Sequence, residues 1–269
     1  MKLHQPAFRI NLDRRPDRLA SASALLSRLG ISYTRISVFD AKAASELRNV
    51  DWWRAFVYNN FRPPFLGQVG CYFSHRMIWQ KMVDEGFAQV AVFEDDIVEG
   101  AFDPQFMDLD VASLGLDLLR LEGIPARFNP SIFHPRQPKP IKTIGRTITF
   151  APSYGTAAYL ITLEGARKCL AQERYWFNVD HFDMWTQLTG LRTGQLQPPS
   201  FRQSASASDV TGAQIDMDVI RNTRQGPHAP ASRGQRLFDL LFLRPKLGRY
   251  MHWYLSQGIK LLALRNTGL

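Results

Sequence analysis

The stretch "CYFSHRMIWQKMVDEGFAQVAVFEDDI", residues 71–97, constrains the fold more than any other part of the chain. Apolar residues recur at helical spacing up to a stop at Gly86, and "QVAVFE" (89–94) follows as an apolar run of strand length. A helix over 71–86 spans roughly 24 Å at about 1.5 Å per residue. A strand over 89–95 spans roughly 23 Å at about 3.3 Å per residue. In a right-handed strand, helix, strand crossover the helix runs antiparallel to the strand that follows it. The helix start, with Gly67, Gly70, Ser74 and His75, is therefore predicted beside the carboxyl end of the strand, where Glu94, Asp95 and Asp96 emerge. In open α/β sheets that edge binds ligands.

The chain also opens in this manner. "AFRINL" (7–12) reads as a strand, "PDRLASASALLSRLG" (16–30) as a helix started by Pro16 and stopped by Gly30, and "SYTRISVF" (32–39) as a second strand. The alternation predicts an α/β domain with a mostly parallel sheet. Residues 44–65, with Trp52 and Trp53, read as an irregular excursion, and 124–145 as a long loop rich in Pro and Arg. "LDLLRLEG" (116–123) reads as a buried strand, "SYGTAAYLIT" as the lead into the helix "LEGARKCLAQ", "HFDMWTQLTG" as a short helix opened by Asp180, and "GQLQPPSFRQ" as an edge strand.

With 269 residues, 45% of them hydrophobic, the chain can bury a sizeable core. Cys71 and Cys169 lack the number for a disulfide framework and the spacing for a zinc site, which predicts reduced thiols in a cytoplasmic protein. No window has the length of a signal-peptide core or a membrane span. After residue 220 the sequence places nine of its 33 Lys and Arg but one of its 24 acids. The division expected is an α/β domain over 1–215 and a basic amphipathic helical tail over 216–269. The tail has the composition of a helix on an anionic membrane; the competing reading is that it packs on the domain. No nucleic-acid-binding pattern accompanies the basic residues.

Three adjacent carboxylates at a ligand edge, beside glycines that allow close approach, suit a hard divalent cation such as Mn²⁺ or Mg²⁺ that completes its shell with substrate phosphates. That favours a nucleoside diphosphate partner. The plainer reading is a solvated turn. Arg14, Arg15 and Arg18, just beyond the first strand, suit phosphate or a solvated helix start. His75 shares a helix face with Cys71, Ile78 and Met82 and reads equally as a core histidine. Asp180 and Asp183 have capping-box spacing, which leaves an exposed carboxylate at a helix start for either capping or catalysis.

In order along the chain, "INLDRRPDR" (10–18), "VFDA" (38–41), "LGQVGCYFSH" (66–75), "VAVFEDDI" (90–97), "YGTAAYLITLEGARK" (154–168) and "NVDHF" (178–182) resemble glycosyltransferase family 25, of lipopolysaccharide biosynthesis and collagen galactosylation. The resemblance covers roughly the first 210 residues. It implies a GT-A type fold, a Rossmann-like nucleotide-sugar-binding sandwich, with a metal-binding acidic motif at Glu94-Asp95-Asp96. Asp96 and Glu94 would hold Mn²⁺ or Mg²⁺. Asn11, Arg14, Arg18, Asp40, Gly70, Ser74, His75, Glu94, Asp95, Gly155 and Thr156 would bind the nucleotide sugar, and Asp180, with Asp183 second, would be the base. The first acidic position is Glu rather than Asp. The implied activity is an inverting transfer of a hexose, foremost galactose from UDP-galactose, to a glycan or lipid-linked saccharide acceptor at the cytoplasmic face of a bacterial inner membrane. The alternative is an inactive family member serving as a binding or adhesion module.

Overall fold

The computed structural model of the chain describes residues 5–42, 47, 49–59, 62–105, 109–123, 131–138, 143–149, 155–204 and 214–225. Their elements run β1 (Ala7–Asn11), α1 (Pro16–Arg28), β2 (Thr34–Ser37), α2 (Trp52–Tyr58), α3 (Leu66–Glu85), β3 (Gln89–Phe93), β4 (Ile97–Glu99), β5 (Leu118–Arg120), β6 (Ser131–Pro138), β7 (Thr143–Thr149), β8 (Ala158–Thr162), α4 (Leu163–Leu170), α5 (Phe182–Thr189), β9 (Thr193–Gln197), β10 (Phe201–Gln203) and α6 (Met217–Gln225).

One sheet carries eight strands in the order β2-β1-β3-β8-β5-β9-β7-β6. β2, β1 and β3 are parallel neighbours, β8 runs against both β3 and β5, β9 is parallel to β5, and β7 runs against β9 and β6. Strands β8 and β7 are thus the reversed members of an otherwise parallel sheet, as the sequence predicts. Both faces of its central strands β1, β3, β8, β5 and β9 are buried. Phe8, Ile10, Val90 and Val92 enter one apolar cluster with residues of α2 to α5, while Ala7, Ala91 and Phe93 enter a second with α1 and the 111–116 turn. This three-layer burial is why β1 and β3 read as continuous apolar runs rather than alternating ones. β4 and β10 form a separate antiparallel ribbon.

Several boundaries differ from the sequence reading. α3 starts at Leu66, five residues before 71, although Gly67 and Gly70 each weaken a helix by up to about 1 kcal/mol. Packing overrides propensity here: a Cβ on Gly70 would stand 3.0 Å from the Phe39 carbonyl oxygen, so glycine lets the first turn lie against the end of the second strand. At twenty residues α3 therefore overshoots β3, and its extra turn becomes a wall above the strand ends. Its end is as expected, with Gly86 at φ 71°. Within the 44–65 excursion, Asp51 caps α2 by accepting from the Arg54 amide at 3.0 Å. The expected loop 124–145 instead contains β6 and the start of β7, and β6 is the outermost strand, where Pro135 and Pro138 are tolerated because no further ladder needs their amides. β9 is consequently an inner strand rather than an edge. Position 180 is not the helix cap, since α5 begins at Phe182 with His181 before it. The early tail helix α6 packs on α2 with Ile220 buried, and 226–269, the bulk of the expected basic tail, lie outside the described residues.

Candidate functional site

The ends of β2, β1 and β3 and the first turns of α3 line an open cleft. Its lining includes Asn11, Arg14, Arg18, Asp40, Gly70, Ser74, Glu94, Asp95 and Asp96, nine of the residues singled out by sequence. The three carboxylates of the acidic triplet have different surroundings.

Asp95 is held by its neighbours. Asn11 Nδ2 donates to its Oδ2 at 2.8 Å, and the Arg18 guanidinium lies 3.3 Å from Oδ1. The Asn11 amide is itself oriented, because its Oδ1 accepts from Arg35 Nε at 3.2 Å. Glu94 points the other way, accepting from His75 Nε2 at 3.0 Å and from the Thr156 hydroxyl. Burial alone would raise its carboxyl, but the His75 and Thr156 bonds and the Arg18 charge outweigh that and hold it below its usual value. The Trp79 indole donates to the Tyr159 hydroxyl at 3.1 Å, Tyr159 shares a 2.8 Å hydrogen bond with His75 Nδ1, and an ionised Glu94, which can only accept, takes its bond from Nε2–H.

Asp96 is the exception. Its Oδ2 accepts from Gln203 at 3.1 Å and sits 3.8 Å from Arg18, while its Oδ1 is buried without a hydrogen-bond partner among the described residues. Burial and the Glu94 charge push its carboxyl up to about 7. An acceptor-only group raised by unrelieved negative charge is relieved by a cation. The ribbon of β4 and β10 sets this geometry by bringing Gln203 over the triplet, and the Ser204 amide donates to the Asp96 carbonyl at 2.7 Å.

His75, Gly155, Thr156 and Asp180 do not line the cleft but join it through Glu94. The Gly155 amide donates to the Asp180 carboxylate, whose side chain is 29% exposed. Burial and the Glu94 charge raise Asp180 to about 6. His181 Nε2 lies 3.8 Å from Asp180, and its Nδ1 shares a short hydrogen bond with the Tyr58 hydroxyl. The Ser74 hydroxyl donates back to the Gly70 carbonyl at 2.6 Å, and Arg14 pairs with Asp40 at 2.7 Å. Arg15 pairs with Asp17 at 2.7 Å, away from the triplet, and Asp183 lies in the first turn of α5. Cys71, His75 and Glu94 bring potential metal-ligand atoms within 4.8 Å of one another. Both His75 nitrogens are already engaged and burial drives the Cys71 thiol well up, so this trio is a hydrogen-bonded support.

Sequence reasoning missed Arg120, Glu122 and Gln203. Arg120 and Glu122 are both buried, and the Arg120 guanidinium lies 5.2 Å from the Phe182 ring centre. The available signal was two charged residues at strand spacing inside the apolar run "LLRLEG". For Gln203 there was none, since it reaches Asp96 from 107 residues away.

Residues 4–183 match the family described as glycosyltransferase family 25 (LPS biosynthesis protein). The chain belongs to glycosyltransferase family 25. It is 30% identical over 190 residues to the human inactive glycosyltransferase 25 family member 3, covering 65% of this chain and 30% of that one. It is 29% identical over 177 residues to procollagen galactosyltransferase 1-A of Xenopus laevis, covering 62% and 28% respectively. The chain thus spans less than a third of the length of these family 25 relatives. A solved glycosyltransferase involved in glycosylation of the PBCV-1 major capsid overlaps 75% of the chain and 94% of its own, at 7% identity and a TM-score of 0.36. Among the described residues no helix is long and apolar enough to cross a membrane.

Proposed function

We propose that this family 25 chain is a metal-dependent inverting glycosyltransferase that moves a hexose, foremost galactose from UDP-galactose, to a hydroxyl of a glycan or lipooligosaccharide acceptor with a β linkage. The observation that carries this reading is Asp96, a largely buried carboxylate in the strand-end cleft whose Oδ1 has no hydrogen-bond partner among the described residues. Its hard oxygen donor fits Mn²⁺ or Mg²⁺, with Asp96 as the holding residue and Glu94 beside it. Such an ion, when bound, offsets the charge that grows on the diphosphate leaving group.

The chain's own residues have these roles. Asn11, at the end of β1, and Arg18, in α1, fix Asp95 just beyond β3, and this reading gives Asp95 the ribose of the nucleotide. Arg14 and Asp40 border the same cleft. Inversion needs in-line attack by an acceptor hydroxyl on the face opposite the leaving group, so a carboxylate must take the hydroxyl proton. Asp180 suits this as a base: raised to about 6, it is ionised at neutral pH yet basic enough to accept a proton.

An inactive binding module is the second reading, favoured by the name of the human relative. The two separate in one assay: the protein with Mn²⁺ is incubated with a panel of UDP-sugars and released UDP is measured. Release with one donor, strongest for UDP-galactose and abolished by EDTA, is expected; no release above buffer with any donor would leave the module reading. The tail is read as binding an anionic membrane surface, and removal of residues 233–269 should lower partition onto anionic liposomes.

A further inference from the structure

Residues Gly155, Thr156 and Ala157 touch three carboxyl groups in succession. The Gly155 amide donates to Asp180, the Thr156 hydroxyl donates to Glu94, and the Ala157 amide donates to Glu122 Oε1 at 2.6 Å. The Ala157 carbonyl also accepts from the Glu94 amide at 2.8 Å, so the short segment is a bracket between the acidic triplet and the candidate base. Glu122 presses on it from the end of β5. Gly155 has φ 105°, and a Cβ there would stand 2.5 Å from Glu122 Oε1. From this juxtaposition we infer that Glu122 is a positioning residue, fixing the 155–157 bracket through the Ala157 amide and thereby aiming Asp180 and Glu94. This rests on Asp180 being the base.

A carboxyl is costly where Glu122 sits. It is fully buried, and its Oε2 has no hydrogen-bond partner among the described residues. An apolar side chain of equal volume would fill the space with no desolvation cost, so packing alone gives no reason for a carboxyl. What the carboxyl supplies is an acceptor for the Ala157 amide, an otherwise orphaned donor. Burial raises Glu122 to about 8, with the Arg120 charge opposing and Glu94 and Asp96 adding, so it is neutral at pH 7 and glutamine is a fair mimic.

The test compares Glu122→Gln, which keeps the acceptor, with Glu122→Met, which keeps the volume and loses it. In the full chain with Mn²⁺ and UDP-sugar, E122M is expected to lower kcat by about 100-fold with the donor KM little changed, the cost of a small misplacement of the reacting groups. E122Q should restore kcat to near wild type. In amide NMR spectra E122M should move the resonances of both Ala157 and Gly155. A folded E122M with wild-type kcat, or a Gly155 resonance unmoved by it, overturns the inference, as does E122Q failing as E122M does. Should E122M not fold, exchange in the wild type decides: Gly155 and Ala157 amide protons are expected to exchange slowly, and exchange as fast as in an unfolded chain overturns it. Should the wild type release no UDP from any donor, the activity reading fails, while the amide measurements still judge the bracket.

Discussion

Three adjacent acids with three different fates make the residue scale the place where chemistry is decided. Asp95 accepts from Asn11 and pairs with Arg18, Glu94 accepts from His75 and Thr156, and Asp96 keeps one oxygen without a partner among the described residues. Asp96→Asn should therefore abolish cation-dependent UDP release. It should also raise or preserve the thermal midpoint of the metal-free protein at pH 8, because it removes a buried charge that is ionised above about 7. A marked loss of stability would mean that Asp96 Oδ1 has a partner in the folded protein. Asp180→Asn should reduce kcat by about 100- to 10,000-fold while UDP binding persists. The wild-type rate should fall as pH drops through about 6, where Asp180 takes up its proton and ceases to be a base. Flat kinetics from pH 5 to pH 8, roughly one unit or more either side of that value, would count against Asp180.

Elements bring these side chains together. Strands β2, β1 and β3 are adjacent and parallel, so their carboxyl ends deliver Asp40, Asn11 and the triplet to one edge. The α3 overshoot closes the cleft above them, and the fit depends on Gly70. A Cβ there would meet the Phe39 carbonyl oxygen at 3.0 Å and the Ala41 amide at 3.3 Å. Gly70→Val is expected to displace residues 39–41 with Asp40 and to weaken UDP binding by about tenfold, a loss of about 1.4 kcal/mol. Titration calorimetry measures this, and circular dichroism should show the helix content kept. The strand ends and the Gly86 stop were legible because turn residues and apolar runs are local signals. The α3 start was not, since a contact made with residues 39–41 outweighs the local propensity that sequence reports. The β6–β7 hairpin was hidden likewise, because prolines signal loops unless the strand proves to be an edge.

At the scale of the whole molecule, stability follows the buried carboxyls. Asp117, fully buried at the opposite end of β5 from Glu122, accepts from Lys168 at 2.8 Å and from Arg192 at 2.6 Å. Burial would raise it, but those bonds win and hold it below its usual value, so its contribution is present above about pH 4 and lost as pH falls below that. Glu122 at about 8, Asp96 at about 7 and Asp180 at about 6 have the opposite sign. For each, the folded state binds its proton more tightly than the unfolded chain, so stability rises as pH falls through the raised value. Calorimetry of the metal-free protein should thus give a higher midpoint near pH 5 than at pH 8.5. A midpoint that climbs steadily to pH 8.5 would refute this. Mn²⁺ should narrow the difference by stabilising ionised Asp96.

The sequence by itself determined the α/β class, the strand-end position of the triplet and the family, since each is written in short runs with local spacing. Only the tertiary structure decided which acid of the triplet keeps an oxygen without a partner among the described residues, and that Glu122 stands behind the 155–157 bracket. Those outcomes depend on partners such as Asn11 and Asp95, 84 residues apart, or Ala157 and Glu122, 35 apart. Burial and hydrogen bonding between distant segments set the charge of each group, and neither exists until the chain has folded.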